Sequence, residues 1–298
     1  MNLRTCEKIF KIVLIAGVAF VLSCGVQQPF ANSDAAVREV TDDLGRKVIV
    51  PVKIERAVSL APNLTENIFA VGAGDRLVGV TTYCNYPKEA LAIEKVGDTQ
   101  SPNAERIVAL RPQVVFVSTA SQLEAFMTTL AGQNIAVFVT NPTSFDGVLR
   151  NLTQLGDLFG TQAKAGPVVE DLKRRAENVK AEAALHPSVR VFVQFSKEPL
   201  YTTGRGSFLN EIVELAGGNV VTRDVPTAFP VLSKEAAMAL QPEAIILSDS
   251  ADNPEPNEAF KNSPAVRNGR VFRVNADILS RPGPRLVDAL EEIAKDLK

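Results

Sequence analysis

Short β-branched runs alternate with amphipathic stretches along most of this chain. Between Arg38 and Pro51 the stretch VTDDLGRKVIV predicts a hairpin, with Asp43-Leu44-Gly45 at its turn. Ala57–Leu60 follows as a short apolar strand, and Thr65–Val71 as an amphipathic helix that Gly72 and Gly74 stop. Strand signals at Leu77–Val80, Val114–Val117 and Ile135–Val139 are then spaced by helical ones at Ala104–Leu110, Gln122–Ala131 and Ser144–Phe159. After a break the alternation resumes with strand Val189–Phe195, helix Phe208–Leu215, strand Asn219–Val221 and helix Ser233–Leu240. Strands Ala244–Leu247 and Arg270–Val274 and a closing helix from Pro284 complete it. Apolar strands spaced by helices predict parallel βαβ units with both sheet faces covered.

The break, Gln162 to Leu185, contains EDLKRRAENVKAEAA, with charges around much of a helix circumference. Gly166-Pro167 marks either a kink or its true start, and His186-Pro187 ends it. A helix polar on most sides suits a bridge between two bodies better than a place in one core. The predicted fold is therefore α/β: two Rossmann-like lobes with central parallel sheets, joined by one long helix, with a ligand cleft between them. Residues 38–161 form the first lobe, 162–186 the connecting helix and 187–298 the second lobe.

The N-terminus differs in kind. Arg4, Lys8 and Lys11 precede an apolar run from Ile12 to Leu22, about half the ~20 residues a spanning helix needs. That pattern predicts an export signal over 1–23 and an extracytoplasmic protein. Val21-Leu22-Ser23-Cys24 also resembles a bacterial lipoprotein cleavage box, which makes Cys24 a lipidation site; the alternative is a plain signal with an incidental cysteine. A lipid on Cys24 would tether the protein to the membrane without spanning it, through a small, polar linker at 24–37. Cys84 is then alone in the folded body, so no internal disulfide forms. Over the full chain apolar content is 46%, charged content 22% and net charge −2, which fits a globular body and gives no basic stripe for nucleic acid.

An internal repeat fixes the two-lobe reading. ERIVALRPQVV aligns without a gap on EAAMALQPEAI, pairing Glu105 with Glu235, Ala109 with Ala239, Leu110 with Leu240 and Pro112 with Pro242. TENIFAVGAG and LNEIVELAGG echo each other as helices ending in glycines. All three tyrosines fall just past predicted strands: Tyr83 and Tyr86 after Leu77–Val80, Tyr201 after Val189–Phe195. Ligands of open α/β sheets sit beyond those strand ends.

The blocks SLAPNLTENIFAVGAGDRLVGVTTYCNYPKEA, NAERIVALRP, YTTGRGSFLNEIVELAGGN and RPGPRLVDALEEIAK, in this order, resemble the class III (cluster A) substrate-binding proteins of ABC importers. Within that family they resemble the vitamin B12 receptors most, from about Arg56 onward. The resemblance implies capture of a metal chelate, with a corrinoid as first choice and a ferric siderophore or haem as alternatives, and delivery to transmembrane permease subunits. It makes Glu105 and Glu235 the docking carboxylates of the two lobe tips. It makes Tyr83, Tyr201, Phe229, Asp277 and Arg281 ligand-binding residues: aromatic faces for the macrocycle and a polar pair for its rim. The chain departs from the pattern in having no tryptophan; two tryptophan positions of the B12 receptors are Thr99 and Ser118 here. A tyrosine phenolate on haem iron, or Arg205, Arg281 and Arg285 around an anionic siderophore, would suit the alternatives.

Enzyme chemistry finds little support. The one histidine, His186, lies at the exit of the long helix, away from the strand-end loops, and Cys84 has no evident base. Neither HExxH nor paired Cys/His spacing occurs, and Gly204-Arg205-Gly206 lacks the third glycine of a dinucleotide loop. No catalytic residue, metal site or cofactor is expected; a carboxylate-dependent hydrolase is the rival from another class.

Overall fold

A computed structural model describes residues 36–118 and 124–298. The leader at 1–23, Cys24 and most of the linker lie outside the described residues, as does the start of the helix expected from Gln122. Strands β1 (Val37–Thr41) and β2 (Lys47–Pro51) pair antiparallel, with Val37 opposite Pro51. Buried Asp42 fixes their turn: it accepts the Leu44 and Arg46 N–H groups and, at 2.8 and 2.6 Å, Nε and Nη2 of Arg46. Gly45, at φ 75°, supplies the left-handed residue.

In the first lobe β3 (Ala57–Ser59), β4 (Leu77–Val80), β5 (Val114–Ser118) and β6 (Ala136–Thr140) form a parallel sheet of order β4-β3-β5-β6. Its helices are α1 (Pro62–Ala70), α2 (Ala104–Ala109), α3 (Glu124–Ala131) and α4 (Phe145–Phe159). Helix α1 starts at Pro62 rather than Thr65, because proline at the first position has a helical φ and lacks an N–H that would go unpaired there. Helix α4 keeps its expected limits: Ser144 Oγ caps the Gly147 N–H, and Gly160 at φ 68° ends it.

Helix α5 (Gln162–Ala183) leads to the second lobe and runs unbroken through Pro167. Its 22 residues span about 33 Å at the usual rise. There follow β7 (Val189–Gln194), α6 (Phe208–Leu215), β8 (Gly218–Val220), α7 (Lys234–Leu240), β9 (Ala244–Asp249), α8 (Pro264–Arg267), β10 (Val271–Asn275), α9 (Ala276–Ser280) and α10 (Leu286–Leu297). The second sheet, β10-β9-β7-β8, is also parallel.

Counted from the start of each lobe, both sheets have the strand order 2-1-3-4. The repeat seen in sequence extends further in space. Arg111 (φ 51°) and Gln241 (φ 43°) follow α2 and α7 as left-handed residues, each just before a proline. That geometry leaves a last-turn carbonyl open, and an arginine fills the gap each time. Arg56 donates Nε and Nη2 to the Leu110 carbonyl at 3.1 and 2.5 Å, and Arg190 donates Nη2 to that of Leu240 at 2.7 Å.

Side chains alternate across each sheet, which is why these strands read as unbroken apolar runs. In β5, Val114 and Phe116 face one core and Val115 and Val117 another. In β9, Ala244 and Ile246 face the shared side and Ile245 and Leu247 the outer one. The shared cluster crosses from lobe to lobe: Leu64, Leu152, Leu172, Leu209, Ile212 and Leu290 all belong to it. This corrects the expectation for α5. One face of it, Ala165, Leu172 and Ala176, is buried against α1 and α4 of one lobe and α6 and α10 of the other. The lobes therefore share a core, and α5 both joins them and forms part of that core.

Candidate functional site

Where strand order reverses between the first and third strands, an open sheet leaves a crevice at its carboxyl ends. In the first lobe the loop after β4 carries Tyr83 and Tyr86. It is pegged from below by Cys84, whose buried thiol lies 3.1 Å from Thr65 Oγ1 and 3.2 Å from Thr81 Oγ1. The Thr82 N–H bonds the Gly97 carbonyl, and the Cys84 N–H that of Thr81. Cys84 is thus a core peg that leaves its tyrosine neighbours outside.

In the second lobe the loops after β7 and β8 zip together. The Thr202 N–H donates to the Pro230 carbonyl at 3.1 Å, that of Gly204 to Ala228 at 2.9 Å, and that of Arg205 to Val225 at 2.8 Å. Tyr201 bridges Val231 on this short ladder. Phe229 meets Phe195 edge-on, with ring centroids 5.6 Å apart. Tyr83, Tyr86, Tyr201, Phe229 and Val231 are all 40 to 57% exposed, an unusual concentration of apolar surface at strand ends. Phe195 and Val231 extend the apolar wall beyond the residues found in sequence; Phe195 directly follows β7, and Val231 joins the wall through its bridge to Tyr201.

Gly204 makes the zip possible. A Cβ there would lie 2.4 Å from the Thr227 carbonyl and 2.8 Å from that of Val225, both backbone atoms. Gly204→Ala is expected to push the Tyr201 and Phe229 loops apart and weaken ligand binding about ten-fold without removing a contact atom. Calorimetry with the variant checks this; unchanged affinity contradicts it.

The two lobes meet in a polar cluster beside Tyr86. Glu66 of α1, its side chain 2% exposed, accepts Nη1 of Arg281 at 2.8 Å and Nε and Nη2 of Arg285 at 2.9 and 2.6 Å. Arg281, 11% exposed, also donates to Asn85 Oδ1 at 2.7 Å and Asp277 Oδ1 at 2.6 Å. Asn85 Nδ2 returns to Asp277 Oδ2 at 2.9 Å. The Arg285 guanidinium lies 4.0 Å from the centre of the Tyr86 ring. Burial alone would lower the pKa of Arg285, but the hydrogen bonds and charge of Glu66 outweigh it and hold the group above its ordinary value.

Asp277 and Arg281 are therefore together, as the sequence suggested, with Arg281 turned into the interface. Asn85 ties the Tyr83–Tyr86 loop to Asp277 of α9, just past the end of β10, so loops beyond the strand ends of the two lobes touch. Glu66 was missed. Its helix reads as amphipathic, yet Asn63, Thr65, Glu66 and Asn67 are all buried. The signal was Arg281 and Arg285, four apart, requiring an acid.

Glu105 and Glu235 are exposed in the first turns of α2 and α7. Asn103 and Ser233 cap those helices through the N–H groups of Arg106 and Ala236. Both glutamates stand on the carboxyl side of their sheets, at equivalent places. Hydrogen bonds from its own backbone N–H and from the Ser233 hydroxyl hold the pKa of Glu235 below the ordinary glutamate value, so it stays charged. His186 is exposed at the other edge, before β7. Among the described residues no cluster of His, Cys, Asp or Glu suits a metal ion. No helix among them is long and apolar enough to cross a membrane.

Known proteins share this arrangement. The periplasmic binding protein family model matches residues 58–278. An uncharacterised ABC transporter substrate-binding lipoprotein of Bacillus subtilis, YvrC, is 30% identical and covers 94% of each chain. The crystal structure of the periplasmic vitamin B12-binding protein BtuF of Vibrio cholerae is 30% identical, with a TM-score of 0.75 over 83% of this chain and 98% of that one. The haem-binding protein RhuT from Roseiflexus sp. RS-1, at 22% identity and a TM-score of 0.73 over 82% of this chain and 98% of that one, shares the fold. The hydrolase reading falls with these matches: the chain belongs to the periplasmic binding protein family, whose members bind solutes and are not enzymes.

Proposed function

We propose that this protein is the extracytoplasmic receptor of an ABC importer and captures a planar metal chelate, a corrinoid of the vitamin B12 type fitting best. The observation that carries this reading is the exposed aromatic surface at the strand ends of two lobes, Tyr83 and Tyr86 on one and Tyr201 and Phe229 on the other. Flat π-faces favour a macrocycle plane. The vitamin B12-binding relatives support the corrinoid choice.

Charge balance supports it further. Arg281 and Arg285 are engaged by Glu66, and Arg205 donates to the Asp224 carbonyl at 3.1 Å. An anionic siderophore would have to take these guanidiniums from existing partners, at a desolvation and pairing cost. The amide rim of a corrin needs donors and acceptors, and Asn85, with a second amide N–H, and Asp277, with spare carboxylate lone pairs, can add such bonds without losing those they make. Haem is the second reading, favoured by the exposed tyrosine hydroxyls as iron ligands. Capture involves no chemistry. With a core shared between the lobes, closure is a small rocking motion.

A lipid on Cys24 would hold the receptor at the membrane surface, and the YvrC relative, a lipoprotein, supports that anchor. Glu105 and Glu235 would then dock on the permease. Titration calorimetry of the purified protein against cyanocobalamin, hemin and a ferric siderophore tests the assignment. Saturable one-to-one binding of cyanocobalamin, tighter than of the others, is expected; preference for either competitor transfers the assignment, and binding of none removes it.

A further inference from the structure

We propose that Glu66 is the positioning residue of the cleft: it pins the Arg281–Arg285 segment of the second lobe onto α1 of the first and so sets the spacing between the two aromatic sets. Three observations converge on it. The carboxylate is almost fully buried, and its arginine partners both come from the other lobe. Groups at the cleft hang from those arginines: Asp277 and Asn85 from Arg281, and the Tyr86 ring from Arg285. The segment between the arginines has no slack. Asn67 Nδ2 donates to the Pro282 carbonyl at 3.3 Å, and a Cβ on Gly283 would lie 2.8 Å from Asn67 Oδ1.

Besides the polar bonds around Glu66, the lobes have two broader kinds of link. Helix α5 joins them covalently, and the shared core joins them by apolar contact, which is non-directional and tolerates sliding. Relative orientation needs directional bonds, and charge-assisted, bidentate ones are the strongest available. Glu211, which accepts the Phe145 N–H at 2.7 Å, is a second cross-lobe tie, but a single bond to backbone. Asn85, bonded to Asp277 and Arg281, and Asn67, bonded to the Pro282 carbonyl, also cross between the lobes here, but Glu66 is the buried carboxylate that holds both arginines. Its removal would leave Arg285 without its carboxylate and Arg281 with only the Asn85 and Asp277 bonds at the rim, loosening the spacing of the two rims.

Nitroxides on encoded ketone side chains at Lys88 and Lys234, both exposed and one on each lobe, report the spacing by pulsed electron spin resonance. The otherwise unchanged protein is expected to give one narrow distance distribution, and Glu66→Gln a broader or longer one, with cyanocobalamin affinity about ten-fold lower. Glu66→Gln/Arg285→Met, which removes the unpaired cation and protects folding, should keep the broad distribution. Narrow distributions in both variants, with both still melting cooperatively, overturn the proposal. The affinity arm rests on the chelate reading, whereas the distance arm does not. A protein that binds no cyanocobalamin yet broadens on Glu66→Gln would therefore refute the ligand and support the role of Glu66.

Discussion

Replacing Tyr201 and Phe229 together by alanine is expected to weaken chelate binding between about 100- and 1000-fold. Aromatic anchors at the centre of an interface are worth about 2 kcal/mol or more each, and 1.4 kcal/mol is a factor of ten. The two sit on one loop ladder, so their losses will not simply add. Folding should survive, because both rings are exposed and the loop hydrogen bonds are made by backbone. Calorimetry reads the affinity and thermal melting the fold. A loss below ten-fold in a fully folded variant contradicts a ligand seated on this wall.

Reversing both tip charges, Glu105→Lys with Glu235→Lys, is expected to reduce uptake in cells to background while ligand affinity stays within about two-fold. The two carboxylates stand at equivalent places on equivalent lobes, outside the aromatic site. Truncating a buried, hydrogen-bonded charge at an interface costs about 2–5 kcal/mol, and reversal adds repulsion. Each single reversal should leave partial transport. If docking is carried by these exposed charges, it should also weaken at high salt, where the screening length falls from ~8 Å at physiological ionic strength to ~3 Å at 1 M. Normal transport by the double variant, or lost affinity with normal docking, would remove the docking role.

Much of the fold was legible because its strands are buried on both faces and its helices carry local stop signals. Leu77–Val80 and Phe208–Leu215 appear with the limits read from sequence. Ser144 and Gly160 bound α4 through chemistry local to each residue. The ungapped Glu, Ala, Leu and Pro matches revealed the duplication, which the strand orders repeat. What escaped depends on partners far away in the chain. Glu66 finds its arginines 215 and 219 positions later, and no local pattern encodes such a meeting. The burial of α5 escaped because its small apolar stripe is diluted by charges that face solvent. Helices α8 and α9, of 4 and 5 residues, are too short for any period to emerge. The position of the tyrosines on loops that follow a strand was legible in sequence, whereas the placing of Val231 beside Tyr201 emerges only once two loops pair.

The protein has three tyrosines and no tryptophan, and all three tyrosines are exposed on loops that follow a strand, where the proposed site lies. Protein grown with ring-labelled 13C-tyrosine therefore gives a tyrosine spectrum that reports on this site alone. On titration with cyanocobalamin the resonances of Tyr83 and Tyr201, assigned by single Phe substitutions, should shift together and saturate at one equivalent. Calorimetrically proven binding that leaves all three signals unmoved would place the ligand elsewhere and end the two-lobe capture model.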